Sequence, residues 1–246
     1  MVWRVRADGY FDLAVYGDSA AGLQAARPPL AVSSGKKQLR RRDHVSSFAK
    51  APREPKLGER FERAVAFANQ MHGDQRRKGT DRPYISHLLG VAAIVLQHDG
   101  DEDQAVAAML HDVVEDCGGA PRLEEIREKF GERVAHIVEG CTDSLETPRP
   151  PHEQRKKKYL ERLRGESAEI RLVSAADKLY NSREVLMDLR SHGEEVFARF
   201  KGGREGTLRY YRDLVGAFRQ GAPVPKALVD DLERVVRELE TLAAGG

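Results

Sequence analysis

The sequence predicts an all-α protein with a disordered N-terminal extension. From Gly58 onward, apolar residues recur at steps of three and four residues, the spacing of one face of an α-helix. Capping residues, glycines and prolines divide this stretch into successive helices of ordinary length. No segment of it alternates apolar and polar residues in the manner of a convincing sheet, and no internal repeat is present. These observations place the chain in the all-α class.

Residues 1–56 differ from the rest because no helical or strand period persists in them. They contain scattered prolines and a basic cluster from Lys36 to Arg42, which is typical of a disordered extension. The alternation from Tyr10 to Tyr16 permits a transient strand, but we expect no partner for it nearby. The basic cluster could touch nucleic acid, although a solvated tail is the favoured interpretation. A translation start near residue 57 is an alternative.

The first helices are predicted from their apolar stripes and caps. Ser86 is the candidate N-cap of the second helix. Asp101 and Gln104 form a capping-box signature that begins a third helix, predicted over residues 101–116. Two short helices, 122–130 and 131–141, are separated at Gly131, which suits a left-handed turn after a helix end. The stripe of the first helix consists of Phe61, Ala64, Val65, Ala68 and Met71.

The second half of the chain continues the helical pattern after a proline-rich loop, 142–151. Pro225 begins a last amphipathic helix that extends to about residue 242. We therefore predict one domain over residues 57–220, with residues 221–246 forming a helix that packs on it or trails it. The helices between the loop and Pro225 are predicted at 152–164, 167–180, 183–200 and 206–219.

Composition excludes several classes of protein. With 246 residues, 33% charged and 40% hydrophobic, the chain is long enough for a sizeable core. Its net charge of +2 is too small for a non-specific nucleic-acid or membrane binder. Cys117 and Cys141 form no disulfide framework, and no apolar run approaches the ~18 residues of a membrane span. These features predict a cytoplasmic protein that binds neither nucleic acid nor membrane; they leave its oligomeric state open.

The most informative stretch is the run of six residues from His111 to Asp116. On a helix, His111 lies one turn from Glu115, and Asp112 lies one turn from Asp116. An imidazole and three carboxylates are costly to place against a core without partners, and a divalent cation is a natural partner. An exposed acidic helix end is the alternative. Acidic residues at a helix C-terminus oppose the helix dipole, however, which favours a functional interpretation.

His87 and Asp177 are the other candidate ligands. His87 begins the second helix, and Asp177 interrupts an otherwise apolar helix. Each alone is more often structural, and Asp177 could simply pair with Lys178 or with an arginine. Together with His111 and Asp112 they make a mixed nitrogen and oxygen set, which suits manganese, iron or zinc better than calcium, with manganese favoured.

These residues resemble the H…HD…D signature of the HD phosphohydrolase superfamily. More narrowly, residues 58–200 resemble, in order and spacing, the hydrolase domain of RelA/SpoT homologues and stand-alone small alarmone hydrolases. The blocks that carry the resemblance are His72-x-x-Gln75-Arg76-Arg77-Lys78-Gly79-Thr80, Pro83-Tyr84-Ile85-Ser86-His87, Leu110-His111-Asp112-Val113-Val114-Glu115-Asp116, Phe130-Gly131 and Ala176-Asp177-Lys178-Leu179-Tyr180-Asn181.

The resemblance implies an HD-domain helical bundle and a metal-dependent mechanism. His87, His111, Asp112 and Asp177 would hold one metal ion, expected to be Mn²⁺, which activates a water and polarises the phosphate. The expected reaction removes the 3′-pyrophosphate from guanosine tetra- or pentaphosphate (ppGpp or pppGpp) and leaves GDP or GTP, as in the stringent response. The implied roles of the remaining residues are catalysis for Glu115 and Asp116, and substrate binding for Arg77, Lys78 and Asn181.

Several assignments have alternatives. Arg76, Arg77 and Lys78 alone would be a solvated charge run, and the run Arg155–Lys158 could attract an anion or form an exposed helix face. Tyr210 and Tyr211 could approach the nucleotide, but an aromatic pair on a helix is more often core.

At two places the sequence differs from the pattern of many relatives, and both bear on which nucleotide base is recognised. Ser174 and Ala175 replace residues of a lysine-containing motif, and Glu184 replaces a small hydroxyl residue that contacts substrate. A related nucleotide phosphohydrolase, acting on adenosine alarmones or on the 2′-phosphate of NADPH, and a non-catalytic nucleotide-sensing module therefore remain the alternative functions.

Overall fold

The structure is a computed structural model that describes residues 2–5, 11–14, 57–146, 148 and 150–245. The chain divides into two units, Met1–Lys50 and Ala51–Gly246. The boundary predicted after residue 56 remains a prediction. None of the helices in the described ranges is both long and apolar enough to span a bilayer.

In the first unit, two strands pair antiparallel, β1 Val2–Val5 and β2 Phe11–Ala14, with Val2 opposite Ala14 and Val5 opposite Phe11. The expectation that a strand near residues 10–16 would find no partner is therefore wrong. The reason is that Val2–Val5 consists largely of β-branched and aromatic residues, which favour strands and can supply the partner. The rest of the predicted disordered extension, with the cluster Lys36–Arg42, lies outside the described residues.

In the second unit, all described regular elements are helices, apart from a single bridge between Arg76 and Pro83. The all-α prediction is thereby confirmed for this unit. A 3₁₀ segment, Gly193–Arg199, follows the eighth helix. The helices are α1 Glu59–His72, α2 Ile85–Gln97, α3 Glu102–Leu110, α4 Val113–Cys117, α5 Ala120–Phe130, α6 Glu132–Cys141, α7 His152–Leu163, α8 Ala168–His192, α9 Gly203–Phe218 and α10 Lys226–Ala244.

Helix α8 is the central element, because α2, α3, α6, α9 and α10 all pack against it. Its apolar residues are buried on several sides, as expected for a helix surrounded by others. Glycines set two of the closest approaches. A Cβ on Gly90 of α2 would fall 1.9 Å from the Tyr180 ring, and one on Gly140 of α6 would fall 2.4 Å from Ile170. Helices α2 and α6 can therefore lie close to α8, which helps to bring His87 near Asp177.

Local signals predicted several boundaries correctly. The backbone N–H of Gln104 donates to Asp101 Oδ1 at 3.1 Å, and the N–H of Asp101 donates to Gln104 Oε1 at 2.9 Å, so the capping box is present. Gly131 adopts φ +96° between α5 and α6, as predicted. Helix α10 packs its buried residues against α8 and α9.

Three local predictions are wrong. Ser86 does not cap α2; it lies in the first turn, where its hydroxyl donates to the Pro83 carbonyl at 2.7 Å. The predicted helix 101–116 is two helices, α3 and α4, which meet at His111 and Asp112. The predicted helices 167–180 and 183–200 are one helix, α8, since no glycine or proline interrupts it before Gly193.

Candidate metal and catalytic site

Three helical segments bring the site residues together. His87 lies in the first turn of α2, His111 and Asp112 occupy the junction of α3 and α4, and Asp177 lies in the middle of α8. At the junction, Asp112 has φ −96° and ψ −9°, which departs from regular helix and ends α3. The interruption coincides with the two residues whose side chains meet His87 and Asp177. The break between α3 and α4 therefore lies at the candidate site.

The four predicted ligands form one compact cluster. Nε2 of His87 lies 3.3 Å from Asp112 Oδ2, 3.3 Å from Asp177 Oδ1 and 3.3 Å from His111 Nε2. Nε2 of His111 lies 3.2 Å from Asp112 Oδ2 and 3.6 Å from Asp177 Oδ1. Ligand atoms about 2.1 Å from a shared ion stand roughly 3.0–3.4 Å apart. The spacing and the mixed nitrogen and oxygen donors fit a divalent transition-metal ion.

Hydrogen bonds determine which imidazole nitrogen can bind a metal. The Nδ1 atom of His111 is 2.8 Å from the Ala108 carbonyl, which can only accept, so in the neutral ring Nδ1 carries the proton and Nε2 offers its lone pair. The Nδ1 atom of His87 is buried without a hydrogen-bond partner among the described residues, so the polar contacts of this ring involve Nε2. Both Nε2 atoms are therefore oriented towards the carboxylates as metal ligands would be.

The electrostatics of the cluster favour a bound cation. Burial would raise the pKa of Asp112, but His111 and His87 outweigh it and hold that pKa well below its ordinary value. Burial likewise opposes ionisation of Asp177, yet Lys178, with the two histidines, lowers its pKa well below the ordinary range. Burial would lower the pKa of His111, but Asp112 and Asp177 raise it. The carboxylates are thus charged, and a proton competes with a metal for the imidazole of His111.

Asp177 uses its two carboxylate oxygens differently. Oδ2 pairs with Lys178 Nζ at 2.5 Å, while Oδ1 faces the histidines and accepts a hydrogen bond from Asn181 Nδ2 at 2.5 Å. The structural alternative considered for Asp177, a pair with Lys178, and the ligand interpretation are therefore compatible. Lys178 and Asn181 orient the carboxylate and leave one oxygen for the cluster.

The cluster lies at the wall of a cavity of about 390 Å³. Glu115 lines the same cavity, and its Oε2 accepts a 3.4 Å hydrogen bond from the backbone of Asp143. Asp116 is exposed and is not among the lining residues; its Oδ2 accepts a 2.8 Å hydrogen bond from Gln75 Nε2. The two members of the acidic pair thus occupy different environments. The lining of this cavity also includes the cations Arg155, Lys156 and Lys178 and the aromatic residues Tyr159, Tyr210 and Tyr211.

Comparison with known proteins identifies the family. The profile of the HD domain matches residues 64–208, more than half of the chain. The chain belongs to the HD domain family. The resemblance to HD-type phosphohydrolases is thereby confirmed.

The relatives of this HD domain protein include several named hydrolases. It is 43% identical over 125 residues to the MESH1 guanosine-3′,5′-bis(diphosphate) 3′-pyrophosphohydrolase of Xenopus tropicalis, covering 50% of this chain and 67% of that one. The Homo sapiens MESH1 is 40% identical over 125 residues, with the same shares of 50% and 67%. An Aquifex aeolicus protein named guanosine-3′,5′-bis(diphosphate) 3′-pyrophosphohydrolase is 47% identical over 88 residues, which is 36% of this chain and 12% of that protein.

Two solved structures resemble this HD domain protein. A structure of a metazoan ortholog of SpoT that hydrolyzes ppGpp matches with a TM-score of 0.63 and 27% identity, covering 76% of this chain and 98% of that one. The lmo0812 protein of Listeria monocytogenes matches with a TM-score of 0.56 and 28% identity, covering 64% and 99%. The chain thus spans about two thirds of the MESH1 relatives and nearly all of the two solved chains.

Of the three predicted substrate-binding residues of the HD domain, only one lines the cavity at the metal cluster. Asn181 lines the cavity. Arg77 does not, because Nε and Nη2 bond Glu184 Oε2 at 2.9 and 2.6 Å and Nη2 also bonds Asn181 Oδ1. Its guanidinium lies 5.2 Å from the centre of the Tyr84 ring. Lys78 lines a neighbouring cavity instead. Glu184, noted from the sequence as a departure, is therefore the residue that positions Arg77.

The HD domain site also contains residues to which the sequence analysis gave no catalytic, metal-binding or substrate-binding role; His72 and Gln75 were expected only to shape the loop that carries Arg77. The hydroxyl of Tyr84 donates to Asp112 Oδ2 at 2.6 Å, so this tyrosine orients a predicted ligand. His72 stacks on Tyr84 and contacts Gln75, which in turn holds Asp116. Tyr84, His72 and Gln75 belong to the sequence blocks around His87 and Arg77 that carry the family resemblance. This membership was the signal that could have identified them. Tyr210 and Tyr211 line the cavity, so the interpretation of this pair as core alone is incomplete.

Proposed function

We propose that this chain is a metal-dependent hydrolase that removes the 3′-pyrophosphate from guanosine tetra- or pentaphosphate and leaves GDP or GTP. The observation that carries the proposal is the cluster of His87, His111, Asp112 and Asp177 at the wall of a cavity that also exposes Glu115 and three cations. The relatives named as 3′-pyrophosphohydrolases supply the substrate class.

The four-residue cluster is assigned to the metal ion. When bound, a divalent ion supplies Lewis acidity to a phosphate oxygen and lowers the pKa of a water. Manganese is our proposal for that ion, since two carboxylates and two imidazoles suit it and leave room for water. Tyr84, Lys178 and Asn181 hold the carboxylates of Asp112 and Asp177 in the orientation that the cluster requires.

Glu115 is assigned the role of general base, because it is the member of the acidic pair that lines the cavity. Water adds to the phosphorus attached to O3′, the bond between that phosphorus and O3′ breaks, and Glu115 takes the proton of the water. Glu115 then passes this proton to O3′ of the leaving nucleotide. Asp116, which Gln75 holds in place outside the lining of the cavity, stays a predicted catalytic residue. Pyrophosphate and GDP, or GTP, are the products.

Substrate phosphates are assigned to the cationic wall of the cavity, and Arg77, over Tyr84 and beside Asn181, to the base and ribose end of the nucleotide. Because Glu184 already occupies two donor groups of Arg77, this guanidinium is better suited to stacking than to binding phosphate. We place the reaction in the cytoplasm, in keeping with two free cysteines.

The test is product release from guanosine tetraphosphate, its adenosine analogue and NADPH, each with added Mn²⁺ and with a chelator. Pyrophosphate released from the guanosine compound only in the presence of metal is the expected result. Phosphate released from NADPH alone would replace the proposal with a related nucleotide phosphatase. Metal binding with no product from any of the three would favour a nucleotide-sensing module.

A further inference from the structure

The loop between α1 and α2 that carries Arg77 and Lys78 has no apolar anchor in the core. We call residues 76–82 the arginine loop, and none of residues 73–83 is buried. Within the loop, the N–H of Arg77 donates to the carbonyl of Arg82 at 2.9 Å, and the N–H of Thr80 donates to the carbonyl of Arg77 at 3.0 Å. A loop without buried apolar contacts depends on polar side-chain contacts with the rest of the domain to hold one conformation.

Helix α8 supplies such contacts from a stripe of polar side chains. Asp177, Asn181, Glu184 and Asp188 are spaced by four, three and four residues, so they lie on one face of the helix. Glu184 Oε2 accepts two hydrogen bonds from the guanidinium of Arg77, at 2.9 and 2.6 Å. The stripe therefore begins at a predicted metal ligand and continues along the arginine loop.

Asp188 holds the far end of the arginine loop with both carboxylate oxygens. Its Oδ1 accepts a hydrogen bond from Arg82 Nη2 at 2.6 Å, and its Oδ2 accepts one from Arg199 Nη1 at 2.8 Å. Arg199 in turn donates to the carbonyl of Lys78 at 3.4 Å. Its side chain packs on Gly79, where a Cβ would fall 2.4 Å from Arg199 Cδ. One carboxylate thus connects α8 to the loop directly, through Arg82, and indirectly, through Arg199.

The burial of Asp188 indicates a role in geometry. Asp188 is only 4% exposed. Burial opposes its charge, but hydrogen bonds from Arg82 and Arg199 outweigh this effect and hold the pKa of Asp188 below its ordinary value. Ion pairs near a surface add little to the free energy of unfolding, and burying one partner carries a desolvation cost. Such an arrangement fixes the position of the arginines more than it stabilises the fold.

The same stripe connects the loop to the metal cluster. Arg77 Nη2 donates to Asn181 Oδ1, and Asn181 Nδ2 donates to Asp177 Oδ1 at 2.5 Å. The guanidinium of Arg77 and the carboxylate of Asp177 therefore share one intermediary. A displacement of the arginine loop would move Arg77 relative to the cluster.

We propose that Asp188 is a positioning residue for nucleotide binding, which anchors the arginine loop through Arg82 and Arg199 and so keeps Arg77 beside Asn181. Asp188 does not line the cavity at the metal cluster, so it acts through the arginines and not on the substrate. The inference rests on the proposed function, which assigns Arg77 to the base and ribose end of the nucleotide.

The first test compares Asp188→Asn with Asp231→Asn in the full chain. The control is matched because the carboxylate of Asp231, on α10, also contacts two arginines, Arg183 and Arg234. Asp188→Asn should raise KM for guanosine tetraphosphate about tenfold and change kcat by less than about twofold, whereas the control should change neither. A loss of stability alone would reduce the active fraction, and with it the apparent kcat, without changing KM. An unchanged KM in Asp188→Asn would overturn the proposal.

A double variant tests whether Asp188 acts through Arg77. In the Arg77→Ala background, Asp188→Asn should raise KM by less than about twofold, because the group that it positions is already absent. The same tenfold rise in this background would show that Asp188 acts independently of Arg77 and would reject the positioning role.

Limited proteolysis tests the anchor without reference to turnover. Trypsin cleaves after arginine and lysine, and the loop contains three such residues in succession, Arg76, Arg77 and Lys78. Asp188→Asn should accelerate cleavage there at least about fivefold, as measured by mass spectrometry of the fragments, while the Asp231→Asn control should not. If no nucleotide is hydrolysed, the proposed function fails, and this measurement still decides whether Asp188 anchors the loop. Equal cleavage rates in Asp188→Asn and the unaltered protein would refute the anchor.

A second variant keeps the test open if Asp188→Asn does not fold. Arg199→Gln removes one of the two partners of Asp188 at a side chain that is 20% exposed. It should raise KM about threefold and accelerate cleavage of the loop, since only the contact through Arg82 is left. Unchanged KM and unchanged cleavage in this variant would count against the proposal.

Discussion

Helix α8 carries three buried charged residues, Arg171, Asp177 and Asp188, and the surroundings of the first two differ in one respect. Arg171 is completely buried and donates only to backbone carbonyls, among them those of Leu163 at 2.5 Å and Ala222 at 2.8 Å. Its partners come from the ends of α7 and α9 and the segment after α9, so the guanidinium ties three parts of the chain together. The remaining carbonyls are those of Ala217, Phe218 and Gln220.

The cluster around Asp177, on the same helix, does not have such a complete set of hydrogen-bond partners. There, two imidazole nitrogens and two carboxylate oxygens face one another at 3.2–3.6 Å, and they satisfy each other only if protons occupy the imidazoles. A buried charge with a complete set of partners serves the fold, whereas imidazole nitrogens and carboxylate oxygens that converge on one point serve a ligand. The comparison predicts that substitution of Arg171 mainly lowers the free energy of unfolding, whereas substitution in the cluster around Asp177 mainly affects metal binding and turnover.

The largest effect is expected for Asp112→Ala. Removing one of two carboxylates from the cluster should abolish stoichiometric metal binding and reduce turnover by at least about four orders of magnitude, because Lewis-acid assistance is lost with the ion. Elemental analysis and product release measure the two quantities. Glu128→Ala, which removes an exposed acid from α5, is the control. Retention of metal and activity by the Asp112 variant would contradict the ligand assignment.

For Arg171→Leu we expect the reverse, a large loss of stability with unchanged metal binding. Loss of the guanidinium leaves several buried carbonyls without donors, so we expect a decrease of about 4 kcal/mol in the free energy of unfolding. The melting temperature should fall by roughly 10 °C, while metal content of the folded protein stays the same. Arg190→Leu on the same helix, whose side chain is 55% exposed, should change stability by less than about 0.5 kcal/mol. A stable Arg171 variant would show that the carbonyl contacts are dispensable.

Glu115→Gln sharpens the comparison within the site. The amide is nearly isosteric but cannot take a proton, so turnover should fall about a hundredfold while metal binding is kept. Loss of metal from this variant would move Glu115 into the ligand set. Normal turnover would remove it from the catalytic assignment. Elemental analysis beside initial rates distinguishes the three cases.

The smallest effect concerns pH. Because the pKa of Lys156 is lowered to about 8, chiefly by burial and then by Lys178, Arg155 and Lys78 against the opposing Asp143, this cation is protonated below that pH and neutral above it. The value of kcat/KM should therefore decline a few-fold between about pH 7.5 and 9 as a phosphate contact weakens. Lys156→Arg keeps its charge and should flatten this decline. An unchanged profile in the arginine variant would assign the titration to another group.

Sequence patterns predicted the chemistry of the site better than its architecture. His87, His111, Asp112 and Asp177 were selected because imidazoles and carboxylates are rarely placed in apolar helices without partners, and the structure brings all four together. Their roles stay predictions until metal binding is measured. The same patterns misplaced the break at His111 and Asp112, because helical propensity is continuous through residues 101–116 and the interruption coincides with contacts to Tyr84 and His87, remote in sequence.

The roles of Arg77 and Glu184 illustrate the limit more clearly. A basic run before a glycine indicates a phosphate contact, but Glu184, 107 residues away, binds the guanidinium and withdraws it from the cavity. Nothing in local periodicity reports a pairing over that separation. The cavity lined by Lys78, Lys156 and Arg209 likewise draws its lining from three separate segments of the chain.

The sequence by itself therefore determined the helical class, the capping box at Asp101, the turn at Gly131 and the identity of the candidate ligands. These features depend on interactions within one or two helical turns or on the chemistry of single residues. Only the tertiary structure decided the continuity of α8, the partners of Arg171 and the attachment of Arg77 to Glu184. Those features arise from helix packing around α8, where glycines such as Gly90 set how closely the elements approach.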